Sequence, residues 1–512
     1  MKLIFKSAVS ASFELENTTP YVAPSPFDVY LNGQKVISNH KVNVFSLFSL
    51  KPETTYEVLV NQDKITFTTD KVSKVINVIE HGAKGDGITD DTKALQALIN
   101  DAPQDALIQI PKGKYLVSPL FLKSDLTIHL EEGAFLLGDV NREKYPILEP
   151  TMTTEDGEVL ELSTWEGERA RTFASIITGI KVSNVKIVGL GVVDCQAHLS
   201  DWWINHKIMR GGAWRPKGIY LAHCNYIGLH GITVMNTPSW NIHPYFTDHL
   251  DVIDTKIKSP HDSPNTDGCN PEFSTHVRII GVHFSVGDDC IAIKSGKFEL
   301  GMKYRKPTSN LTIRNCFMEH GHGAIVLGSE TSGGVKDLNV TQCYFYKTDR
   351  GLRIKTRRGR GESMRIDGIV FDNILMDEVK VPLVMNMYYY CDDDGKTEYV
   401  WSKEALKVDE RTPYLGRFIF KNVVAKNAHA AAGFFYGLKE SPIESITLEN
   451  VSIEFSKHPD PFIPAMMSFQ EAQLKKGLQF RNVNQVILKN VKLSNVDGEP
   501  VILENVKDYQ SK

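Results

Sequence analysis

The chain has 512 residues, of which 42% are hydrophobic and 23% charged, with a formal net charge of −4. That length exceeds one average domain, although a solenoid absorbs several hundred residues because each coil brings its own slice of core. No run of eighteen apolar residues is available to span a bilayer, and a slightly acidic chain has no general attraction for nucleic acid, so neither a membrane span nor a nucleic-acid partner is expected.

In chain order, Met1-Lys2-Leu3-Ile4-Phe5 is stopped by Lys6 before it can form the apolar core of a signal peptide. A cytoplasmic protein is expected, or an extracellular or periplasmic one if a leader has been removed. Residues 1–70 read as short strands broken by turns. Phe27–Leu31 followed by Asn32-Gly33 is a hairpin signal, and Leu50-Lys51-Pro52-Glu53-Thr54-Thr55-Tyr56 resembles the segment in which a fibronectin type III tyrosine closes a corner of the sandwich. A small β-sandwich over 1–70, a polar linker near Thr68–Ser73 and a second domain over 76–512 are expected. The seven cysteines are odd in number, widely spaced and free of CxxC pairs, so they read as buried thiols rather than disulfides or zinc ligands.

The second region opens with Gly82-Ala83-Lys84-Gly85-Asp86-Gly87, then Asp91-Thr92 ahead of Ala94, Leu95, Leu98 and Ile99 at helical spacing. The capping residues and apolar face predict a helix that closes the end of a solenoid core. Beyond it one short strand pattern recurs, at Asn184–Ile187, Asn225–Leu229, His276–Ile279, Asn310–Ile313, Asp337–Val340, Gly368–Phe371, Ser445–Leu448 and Gln485–Leu488. Spacings of a few tens of residues without long amphipathic helices predict an all-β right-handed parallel β-helix. Irregular intervals, as between Ile369 and Ile446, predict loops on its rim.

Four motifs carry chemistry: Asn265-Thr266-Asp267-Gly268, Gly287-Asp288-Asp289, Gly321-His322-Gly323 and Arg353-Ile354-Lys355. Each taken singly is an ordinary turn, loop or exposed strand. The intervals between Asp267, Asp289, His322 and Arg353, each between about 20 and 35 residues, equal one repeat. The four should therefore stack on successive coils about 4.8 Å apart. Glycoside hydrolysis needs one protonated carboxyl for the leaving oxygen and one carboxylate for water or the sugar. Clustered aspartates repel, and that keeps a proton on at least one. Carboxylates two coils apart approach the separation of about 6.5–9.5 Å that holds a water and favours inversion. Arg350, Arg353, Lys355, Arg357, Arg358 and Arg360 put six cations into eleven residues, which suits an anionic sugar gripped by planar guanidinium groups, although a solvated basic loop would look the same.

This motif set, in this order and spacing, resembles glycoside hydrolase family 28, the polygalacturonases and relatives, from about Ile76 to the C-terminus. The resemblance implies Asp288 as general acid, Asp267 and Asp289 as activators of an inverting water, His322 as tuner of the acid, Arg353 with Lys355 as holders of substrate beside the scissile bond, and Asn265 as a further substrate-binding residue. It implies an acidic pectic oligosaccharide or polysaccharide as partner and no cofactor. The segments around Glu166, Asn236–Pro244 and Ile293–Lys297 look like bacterial exo-acting members, in which insertions turn a cleft into a pocket for chain ends. Lys294 is then a candidate for a uronate carboxylate; Trp240 and His243 either touch sugar or pack a coil corner; and Tyr388 is taken as the inward member of Tyr388-Tyr389-Tyr390, an assignment the sequence leaves open. Related specificities on rhamnogalacturonan or xylogalacturonan, a pectate lyase and a non-catalytic glycan-binding β-helix are the alternatives. Asp392-Asp393-Asp394-Gly395 reads as a solvated turn rather than a metal site, and the sequons at Asn310 and Asn339 carry no weight. The oligomeric state is left open.

Overall fold

The computed structural model describes residues 1–512. Its first part is a sandwich of two antiparallel sheets. Lys2–Lys6, Ala11–Glu14 and Val44–Leu47 form one, and Gln34–Val42, Val22–Leu31, Thr55–Val60 and Asp63–Thr68 form the other. Phe13, Val29, Phe45, Val58 and Phe67 fill the space between them. Asn32 and Gly33 both take positive φ, at 49° and 78°, as the two-residue hairpin between Leu31 and Gln34 requires. The Lys51 N–H donates to the Tyr56 hydroxyl at 2.9 Å, so that tyrosine does tie down the preceding turn.

From Val75 onward the chain winds into a parallel β-helix. Leu126, Val185, Ile227, Leu250, Val277, Leu311, Leu338 and Ile369 lie in register on successive coils. Stacked this way, each coil buries its Val, Ile, Leu and Phe residues in one continuous core running from Ile76 to Leu488. The helix Thr92–Asp101 plugs the first coil: Leu95 and Ile99 meet Ile108, Leu120, Ile128 and Leu136. Asp91 does not cap this helix with its side chain; its carboxylate accepts the N–H groups of Lys84 and Gly85 and folds the entry loop instead. No helix is long and apolar enough to cross a membrane. Six cysteines are buried and unpaired, as expected, whereas Cys391 is exposed.

The sandwich docks along one flank of the solenoid. Phe5 and Phe48 enclose the ring of His230, which also bonds Ser10 and Ser12. Gly231 makes this possible, since a Cβ there would lie 2.4 Å from the Phe48 ring. Glu14 is buried against Arg314, Asn315 and Lys2, and Lys186 reaches Asp70.

Candidate active site

The functional side chains rise from one sheet of the solenoid. Ile242 pairs with Cys269, Cys269 with Ile291, Ile291 with Ile325 and Ile325 with Leu352, all parallel. Asp267, Asp288 with Asp289, and His322 each sit just before one of these positions, and Arg353 and Lys355 lie on the next strand, Arg350–Lys355. The motif spacing is therefore coil register made physical. Asn241 fixes the Asp267 backbone, donating from its N–H at 2.7 Å and from its side chain at 3.0 Å to the Asp267 carbonyl.

The three carboxylates live in different environments. Asp289, with a side chain 2% exposed, accepts from Arg353 Nη1 at 3.1 Å and Lys355 Nζ at 2.8 Å. Burial opposes its ionisation, but the two cations outweigh that and hold it well below the usual carboxylate range. Gly323 lies against this ion triad, and what a Cβ there would strike is Val326, whose Cγ2 would stand 2.5 Å away. Asp267 is also buried, yet its one side-chain donor is Asn270 at 3.0 Å. Burial first, then the Asp288 charge, push its carboxyl well above the ordinary value. Asp288 is the open member, 22% exposed, and its Oδ1 lies 3.3 Å from His322 Nδ1. The contact with Asp288 raises the pKa of His322. One carboxylate paired with two cations, one buried carboxyl whose pKa is raised and one accessible carboxyl thus share a site.

Beyond the aspartates the groove is walled. The hairpin Thr164–Trp165 and Glu168–Arg169 carries Glu166 at its tip, in a left-handed conformation with φ 47°. The carbonyl of Gly167 accepts the Lys297 N–H at 2.9 Å, locking the tip onto the coil after Ile293. Burial and the neighbouring Glu330 raise the Glu166 carboxyl. Behind the hairpin, Trp214, Trp165 and Trp240 stack nearly parallel, with centroids 5.0 and 6.1 Å apart. Lys217, wholly buried, sits 5.4–5.6 Å from the rings of Trp165, Tyr220 and Trp240 and donates to the Thr164 carbonyl at 2.7 Å. It pins the wall from below.

Several expected substrate contacts are already engaged within the protein. Lys294 is buried, bonded to Glu330 at 2.7 Å and set 4.7 Å from the centroid of Trp240. Trp240 and His243 take the packing alternative: Trp240 is 3% exposed, and His243, fully buried, bonds Glu272 at 2.9 Å. Asn265 accepts from Arg215 at 2.6 Å. Tyr388 is a correction. It is fully buried among Lys403, Arg358 and Tyr436, while Tyr389 turns its ring toward Lys355, 5.7 Å away, and into the field of Arg353 and Asp289. The inward residue of an alternating strand end is decided by pleat, which three consecutive tyrosines do not reveal. The acidic turn is a second correction: Asp392 is not merely solvated but receives Arg357, Arg360 and Lys297. The basic run is likewise internal, since Arg350 binds the Pro464 and Ile463 carbonyls and Arg358 binds Glu440.

Sequence reasoning missed Arg215. Buried and held by the carbonyls of Pro238 and Pro264, it lies in the field of Glu166, Asp267 and Asp288. Its neighbours Trp214 and Lys217 are the one local signal, because two cations alternating with a tryptophan and a proline are unusual on a buried strand approach.

Comparison with known proteins places this architecture. The chain matches the model of glycosyl hydrolases family 28 over residues 104–463. A probable polygalacturonase of Vitis vinifera is 30% identical over 387 residues, covering 74% of each chain. An exo-poly-alpha-D-galacturonosidase of Dickeya chrysanthemi is 28% identical over 424 residues, covering 72% of this chain and 67% of its own length. Among solved structures, the family 28 exopolygalacturonase of Yersinia enterocolitica shares the fold with a TM-score of 0.73 at 20% identity, over 100% of this chain and 98% of that one. The exopolygalacturonase of Thermotoga maritima gives 0.67 at 22% identity, over 82% and 92%. A family match across that much of the solenoid, including every coil that bears the three aspartates and the histidine, makes this chain a glycoside hydrolase of family 28.

Proposed function

We propose that the protein hydrolyses α-1,4-galacturonosyl linkages of pectic oligosaccharide with inversion, acting from the non-reducing chain end. The observation that carries this reading is the asymmetry of the aspartates: Asp289 is neutralised by Arg353 and Lys355, Asp267 is buried without a cation, and Asp288 is open beside His322. Burial, and then the charge of Asp288, push the Asp267 carboxyl well above its ordinary value. In the reactive arrangement Asp288 is the general acid and gives a proton to the leaving glycosidic oxygen. Asp267, then ionised in a setting that favours its acid form, takes a proton from the attacking water, and Asp289 holds that water by its other hydrogen. The C–O bond to the leaving sugar breaks as the water oxygen bonds the anomeric carbon. Passing the proton from Asp267 back to Asp288 resets the pair.

Exo action is supported by the Glu166 hairpin, which shares the surroundings of Arg215 with Asp267 and Asp288 and is pinned by Lys217 and Lys297. Arg215, buried near the aspartates with only carbonyl and amide oxygens as hydrogen-bond partners, favours an anionic sugar. The relatives named for exopolygalacturonase activity point the same way. Product analysis on defined oligogalacturonides tests it. Galacturonate alone from the earliest time points, with the α-linkage yielding a β-anomer by NMR, is expected. A mixture of oligomers would defeat the exo assignment, and unsaturated products absorbing in the ultraviolet would defeat hydrolysis itself.

A further inference from the structure

At the other end of the same strands, away from the aspartates, the coil corner following Ile242–Tyr245 carries a second cluster of chemistry-bearing side chains. The register Asp248 to Thr275 sets His249 and His276 one above the other on adjacent coils. Their rings stack with centroids 4.5 Å apart and 19° between planes, and Tyr226 stacks on His249 from the coil before. All three occupy the corner position in left-handed conformation, with φ of 53°, 54° and 52°, where Asn184 and Asn310 stand on other coils.

Asp248 turns its carboxylate into this corner. Its Oδ1 lies 2.7 Å from His276 Nδ1 and its Oδ2 3.2 Å from His249 Nδ1. One ligand atom from each residue falls within 4.8 Å of the other two. The Thr275 hydroxyl bonds Asp248 and so fixes the carboxylate from outside. The His249 Nδ1 is shut off from solvent and faces the Asp248 carboxylate at 3.2 Å without forming a hydrogen bond, so its lone pair is directed into the cluster. A groove of about 710 Å³ along the solenoid, edged by Phe5 of the sandwich, opens beside both histidines. Its cations, Lys186 and Arg278, are tied to Asp70 and Asp251, so they do not repel an arriving ion.

We propose that Asp248, His249 and His276 form a binding site for a divalent transition metal ion of the Zn²⁺ type. Two imidazoles and one carboxylate suit a borderline-soft ion over Mg²⁺ or Ca²⁺, and water from the groove completes a four-coordinate shell. The ion ties two neighbouring coils together at the seam with the sandwich and takes no part in hydrolysis.

The test is a titration of the untagged, metal-stripped full chain with ZnCl₂, followed by calorimetry and by thermal unfolding. One ion per chain and a rise in Tm are expected. His249→Asn and His276→Asn keep a residue type that the same corner accepts at Asn184 and Asn310, so both should fold with the metal-free Tm of the parent. Each should weaken Zn²⁺ binding about tenfold or more. Oligogalacturonide hydrolysis by these variants should match the parent, which separates this site from the proposed function. No saturable binding up to about 1 mM Zn²⁺, or binding undiminished in the double variant, would overturn the proposal.

Discussion

The seam between sandwich and solenoid and the catalytic groove are both lined with charged side chains presented by successive coils, yet they handle charge in opposite ways. At the seam nearly every charge is matched: Glu14 with Arg314 and Lys2, Asp70 with Lys6 and Lys186, Arg278 with Asp251. In the groove, Arg353 and Lys355 are both spent on Asp289, and the neighbouring Asp267 is buried with an amide as its only side-chain donor. Matched charge gives docking and register. Unequally shared charge leaves Asp289 ionised and the Asp267 carboxyl well above its ordinary value, the kind of perturbation that marks functional sites.

If that contrast is right, substitutions in the two regions should separate rate from stability. Asp288→Asn should produce the largest effect, a fall in kcat of about 10²–10⁴-fold, with Tm nearly unchanged because Asp288 is the open carboxylate. Steady-state assays beside a thermal melt measure both. Glu14→Gln should do the reverse. Burial opposes ionisation of Glu14, but Arg314 and Lys2 hold it charged, and its pKa is lowered. Removing that charge leaves Arg314 uncompensated and should cost about 3 kcal/mol in denaturant unfolding, with kcat within about twofold of the parent. The native contribution of Glu14 is present above its unfolded pKa and is lost as pH falls through the lower folded one, so the gap between variant and parent should narrow in acid. A large fall in kcat for Glu14→Gln would mean that docking of the sandwich shapes the groove.

The one conspicuous mismatch at the seam gives the smallest and most diagnostic prediction. Burial pushes Asp254 up to about 6, against a single hydroxyl donor, Ser46, at 2.6 Å. Its folded pKa lies above its unfolded one, so the protein loses stability as pH rises from about 4 to 6, and above 6 the whole penalty is present. Asp254→Asn should therefore raise stability by about 1–3 kcal/mol at pH 7 and leave it unchanged near pH 4. Melts of both proteins across that range check the sign. A gain that is the same at every pH would show that packing, and not charge, sets the difference.

Much of this site was legible in the sequence for one physical reason. In a solenoid, sequence interval becomes spatial stacking, so Asp267, Asp289, His322 and Arg353 announce their proximity by being one coil apart. Where the interval rule does not apply, legibility ends. Arg215 reaches the aspartates from a loop whose length carries no register, and Asp392 meets Arg357, Arg360 and Lys297 by a long excursion beyond Tyr390. The sequence leaves open which of Tyr388, Tyr389 and Tyr390 faces the site, because residue type cannot tell which of the adjacent side chains a strand end turns inward.

The sequence by itself determined the class of fold, the hairpin at Asn32-Gly33, the order of the catalytic coils and the family, because periodicity and turn chemistry are local properties of the chain. Only the tertiary structure decided that Arg353 and Lys355 hold Asp289, that Lys294 is paired with Glu330, and that Trp240 packs in an indole stack behind the wall. Those outcomes depend on which long side chains meet across coils and insertions, where a partner a few ångströms nearer wins the charge. Distances of that kind are set by the packing of the whole solenoid and are written in no single segment of it.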